Sequence, residues 1–252
     1  MVMSMKNRHR ILGLIFFAAL AALGCYAADN DKKGSDKPGT PAVPTKKATV
    51  AKNIYLEVQG DTRRVVIDAY VCLRMGQLEQ LLTKKRTKEH EAILAADINA
   101  ADLHKALILA RAEPGSPVEF RPKWKAPTGT TVKIFLEYEA NGKTVRVPAQ
   151  EWIRNGKTKK ELEYDWVFAG SVLIPDPMDK TKPPFYGAND GDVICLANFD
   201  TALLDIPVSS PRDNAELFFE AITEKIPPQE TKVRVILEPV AGKTANEKKD
   251  AK

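Results

Sequence analysis

The sequence predicts an α+β fold: a β-rich single domain with antiparallel strands and one main helix at about residues 99–112. Three observations carry this expectation. Several short segments alternate apolar and polar residues, with the two-residue period of a half-buried strand. One segment combines a helix cap with apolar residues at helical spacing. An Asn141-Gly142 pair sits between two alternating segments, which suits a two-residue hairpin turn.

Residues 1–24 read as a signal peptide. Lys6, Arg8 and Arg10 precede Ile11 to Leu23, an apolar run of 13 residues. That is short for a membrane span and typical of an export signal. The run ends in Ala22-Leu23-Gly24-Cys25, which resembles the lipobox of bacterial lipoproteins, although Ala22 stands where Leu is commoner. The resemblance implies lipidation of Cys25 and attachment to a membrane through the N-terminus. Ordinary cleavage after Ala27 or Ala28, giving a free periplasmic protein, is the competing reading. Residues 25–52 are rich in Lys, Asp, Pro, Gly and Thr and read as a disordered tether; residues 241–252 read as a disordered tail.

The globular domain is expected over 53–240. Of 38 basic and 33 acidic residues, three basic ones precede the apolar run. Six Lys and three Asp lie in 26–52, and four Lys and two acids in 241–252. That leaves 25 basic and 28 acidic residues in 53–240. A slightly acidic domain does not suit phosphate neutralisation, so no nucleic-acid partner is expected.

Along the domain, 54–58 and 64–73 read as strands. In the second, Val65, Ile67, Ala69, Val71 and Leu73 share one face, and Asp68, Tyr70, Cys72 and Arg74 the other. Residues 89–96 read as a strand. Asn99 then caps a helix through Leu103, Leu107 and Ala110, with Asp102 placed for a capping box and Pro114-Gly115 as the stop. A hairpin spans 131–148, and its turn sets Tyr138 opposite Val145 and Leu136 opposite Val147. Further strands are expected at 163–173, 192–198 and 232–238. The loop 174–190, with four prolines, is long enough to carry function or to be a surface excursion.

Chemistry has few candidates. His90 and His104 are the histidines that remain after export. With Cys72 and Glu91 they form the candidate site, and a divalent metal on His90, His104 and Cys72 is the chemistry such residue types favour. On one continuous helix the two rings would stand roughly 21 Å apart along the axis, so a shared ion needs the break at Asn99. Two unrelated, partly exposed histidines are the structural alternative. His90-Glu91 lacks the second His of a zinc-protease helix, Gly170-Ser171 lacks a nucleophile elbow, and phosphate-loop glycines are missing. Export permits a Cys72–Cys195 disulfide, but Cys72 lies on a polar face and Cys195 in a strand buried on both sides, which sets them apart.

Several segments together resemble the YdjY domain. They are Cys72 with Gly76-Gln77-Leu78-Glu79, Lys88 to Leu94, Leu103 to Leu107, Val147 to Ile153, Trp166 to Ser171, Asp190 to Ile194, and Ala202 to Asp205. The resemblance implies a domain of exported bacterial proteins whose activity is not established. Some members carry a ferredoxin-like label, but two mature Cys cannot ligate a cubane, which excludes the iron–sulfur cluster. Two functions follow as expectations. One is an envelope module that binds an unknown ligand or envelope protein. The other is a metal-binding or hydrolase-like site built from Cys72, His90, Glu91 and His104, and the sequence leaves open whether the chain is an enzyme.

Overall fold

The computed structural model describes residues 44–210 and 219–244. The signal segment and Cys25 lie outside them. The chain opens with β1 (Lys46–Ala51), β2 (Ile54–Gln59) and β3 (Thr62–Val71), a meander. Then come β4 (Gln80–Lys84), β5 (Ala92–Ala96) and helix α1 (Ala100–Leu109). The hairpin β6 (Thr130–Ala140) and β7 (Lys143–Pro148) precedes the short β8 (Ile153–Asn155) and β9 (Trp166–Phe168). After them run β10 (Leu173–Ile174), β11 (Phe185–Tyr186), β12 (Ile194–Cys195), β13 (Leu204–Asp205), β14 (Phe219–Ala221) and the long β15 (Lys232–Thr244).

The expected α+β fold is overturned, because eight strands close into a β-barrel. Around the ring the order is β3, β15, β6, β9, β13, β12, β4, β5, and β5 returns to β3 through Tyr70 opposite Ala95 and Val71 opposite Leu94. The antiparallel expectation also fails in two places: β12 with β13, and β4 with β5, are parallel. Strand β2, with β1 behind it, pairs with the first half of β3, and β7 pairs with β6, so both flank the ring.

The apolar alternation drives closure. Ile67, Val235 and Leu136 lie side by side across three strands, as do Leu82, Ile194, Leu204 and Phe168 across four. All seven side chains are fully buried in one core cluster. An eight-stranded barrel is just wide enough for its side chains to fill it. This one is filled, and the lumen is the hydrophobic core.

The boundaries shift for physical reasons. Residues 46–51, placed in the tether by their polarity, pair with β2, and β15 runs on through residues placed in the tail. Backbone pairing holds both segments, and in β1 the mostly exposed residues leave little apolar signal. The strand expected at 89–96 starts at Ala92, after a turn. Asn99 caps α1 by accepting from Ala101 N at 2.9 Å, whereas Asp102 faces Lys105 at 3.0 Å, so the helix has a cap but no capping box. Asn189 completes the cap, its Oδ1 taking the Ala100 N–H at 2.7 Å. The hairpin register is as the turn requires, Tyr138 opposite Val145 and Leu136 opposite Val147.

Candidate functional site

With the lumen filled, room for a ligand lies outside the wall. The outward positions of β3 are Asp68 and Tyr70, and their partners on β15 are Arg234 and Lys232. Arg234 in turn pairs with Glu137 of β6. Antiparallel pairing thus lays out cross-strand rows of charge, each acid beside a base. Over these rows lies an open groove of about 890 Å³, which Glu139 of β6 also lines. Its rim adds Asp97, Glu230 and Lys85.

Part of this charge is spent within the protein. Arg234 donates to Glu57 at 2.8 Å and to Glu137 at 2.5 Å, and Arg64 donates to Glu57 at 2.8 Å. The Tyr70 hydroxyl donates to Glu89 at 2.7 Å; burial, then that bond, raises its pKa. Lys232, Asp68, Glu139 and Glu230 make no salt bridge among the described residues. Five carboxylates and three cations line the groove, and one of the carboxylates, Asp97, is paired with Lys52 at 2.5 Å.

The residues singled out from the sequence are placed as follows. The Cys72 thiol is half-buried and donates to Ala92 O at 3.1 Å; burial, then the charge of Glu89, pushes its pKa up to about 12. That is the opposite of an activated thiolate. His90 stands in the turn before β5 with its side chain 77% exposed, and its Nε2 is 3.6 Å from Glu91. His104 projects from α1 instead. Its ring meets Phe168 edge-on at 4.8 Å, and its Nδ1 is 2.8 Å from the Tyr186 hydroxyl. That hydroxyl donates to Gly170 O at 2.9 Å, so Nδ1 is the donor between the two. Burial lowers the His104 pKa and keeps the ring neutral. Cys72 and Cys195 are both free thiols, Cys195 fully buried. Among the described residues no three His, Cys, Asp or Glu side chains gather as metal ligands.

The loop 174–190 is an excursion with structure of its own. Strands β10 and β11 pair as a small hairpin, and Tyr186 at its base reaches His104. No helix of the described residues is long and apolar enough to cross a membrane.

A second polar cluster was not legible from residue spacing. The parallel and antiparallel pairings set Gln80, Cys195 and Asp205 side by side on β4, β12 and β13, on the face turned away from the lumen. All three are fully buried. Nearby, the carboxylate of Asp192 receives Gln80 Nε2 at 2.9 Å and Lys88 Nζ at 2.6 Å on one oxygen, and Thr201 Oγ1 at 2.5 Å on the other. Burial works to lower the Lys88 pKa, but the bond and charge of Asp192 outweigh it and hold it raised. Asp205 accepts from Asn198 at 3.2 Å and from Ile206 N at 2.8 Å. Burial nevertheless pushes its pKa up to about 8. Gln80 Oε1 and Asp205 Oδ2 have no hydrogen-bond partner among the described residues. Lys88, Asp192 and Asp205 all fall within the segments that carry the resemblance, and that resemblance was their only signal in the sequence.

The family model for the YdjY domain matches residues 56–238. No curated protein and no solved structure matches the chain.

Proposed function

The chain belongs to the YdjY family, and on that premise we propose that it is an exported envelope protein whose barrel binds a positively charged ligand or partner segment in the groove across β3, β15 and β6. The observation that carries this reading is the open groove with its surplus of carboxylates, set on a barrel whose interior is full. Strand pairing fixes the positions of Asp68, Glu137, Glu139, Lys232 and Arg234, which lowers the cost of binding.

The test is a titration of the purified protein with a lysine-rich peptide and, separately, a glutamate-rich one. The lysine-rich peptide binds, binding weakens as salt rises, and the double reversal Asp68→Lys with Glu230→Lys removes it. Equal binding of both peptides, or binding that survives the reversal, contradicts the reading.

Attachment is the second part of the proposal. A lipidated Cys25 fastens the N-terminus to a membrane, and the following segment gives the domain reach toward an envelope partner. Cys25→Ser then moves the protein from the membrane fraction to the soluble one. Membrane association unchanged by that substitution contradicts lipidation.

A further inference from the structure

We propose that Lys88 and Asp192 condense into an intramolecular isopeptide bond, which ties the turn before β5 to the segment leading into β12. The geometry points to it. Lys88 Nζ lies 2.6 Å from Asp192 Oδ1, with the lysine side chain 17% exposed and the aspartate 4%. The Phe199 ring also holds the amine, its centroid 4.4 Å from Nζ. Gln80 donates to one Asp192 oxygen and Thr201 to the other, so the carboxyl is fixed in orientation and polarised toward a nucleophile. Holding the amine beside the carboxyl makes their condensation an intramolecular step and spares the entropy of bringing the two groups together.

The step balances without any co-reactant. One proton passes from the Lys88 ammonium to the Asp192 carboxylate. The freed lone pair of Nζ attacks Cγ and forms the C–N bond. One C–O bond breaks, and that oxygen leaves as water, carrying the acid proton and a second proton from Nζ. One ammonium and one carboxylate become one secondary amide and one water, with no change of oxidation state. Asp205 lies on β13, beside the strand that the Asp192 segment leads into, as a buried carboxyl with one oxygen unpartnered among the described residues. The product removes two charges from a low-dielectric interior, where a simple ion pair contributes little net stability.

The experiment is mass spectrometry of the full chain, unfolded after purification and digested with trypsin. The peptides bearing Lys88 and Asp192 are recovered joined. The intact chain is lighter, by one water, than its processed sequence requires. Lys88→Arg, produced alongside, keeps the ion pair and shows the full mass, and Asp192→Ala likewise yields separate peptides. Folded wild-type protein with the full mass and two separate peptides overturns the proposal, and that result stands whether or not either variant folds.

Discussion

Asp205 is a carboxyl group that the fold keeps from ionising. Its surroundings are wholly buried, and two donors on Oδ1 do not offset the loss of water. An unfolded carboxyl titrates near 3.9, the folded one at about 8. Between those values the folded chain holds a proton that the unfolded chain releases, so stability falls as pH rises through this window, and the penalty from Asp205 is complete above it. Asp205→Asn keeps an acceptor for Asn198 and Ile206 and cannot ionise. It flattens the pH dependence and stabilises the domain at pH 8 by on the order of 3 kcal/mol, as read by urea unfolding at pH 5 and pH 8. Equal slopes for the two proteins would show that Asp205 is ionised in the folded state. At this scale the sequence was a partial guide. Cys72 and His104 attract notice as residue types, yet the structure spends one on a backbone carbonyl and the other on a tyrosine. Lys88 and Asp192 look like ordinary surface charges until long-range pairing brings residues 104 positions apart to 2.6 Å.

At the scale of elements, what the sequence shows depends on strand length. The hairpin was legible to the residue, because Asn141 and Gly142 supply two positive φ angles, 52° and 71°, and the flanking alternation fixes the register. Helix α1 was legible from its cap. Strand β12 falls within the strand expected at 192–198, whereas β13 was not legible, since two residues within a buried apolar run show no period. Two glycines separate turn chemistry from close approach. Gly142 has open space where a Cβ would stand, whereas a Cβ on Gly129 would lie 2.1 Å from Phe168 O. The backbones there are in contact, and Gly129 also has φ +130°. Gly142→Ala costs about 1 kcal/mol from its backbone angle alone. Gly129→Ala costs about 3 kcal/mol or more, because the barrel wall at β9 must move. Urea unfolding of the two variants checks the order, and equal costs would mean that the wall yields freely at β9.

Eight strands of the described residues form a closed barrel, and closure was the feature that the sequence concealed. It rests on pairing β5 with β3, a contact that local periodicity does not encode. Closure also decides where function can reside. Apolar side chains fill the lumen, and the proposed recognition falls to the charged outer rows of β3, β15 and β6, whose faces were readable from alternation but whose neighbours were not. The most direct test follows the lysine-rich peptide titration amide by amide, by nuclear magnetic resonance. The account predicts shifts confined to the outer groove, centred on Asp68, Lys232 and Glu139, with the core amides of Ile67, Val235 and Leu136 unmoved. Shifts that leave this face untouched and gather elsewhere on the barrel, or no shifts at any peptide concentration, would contradict it.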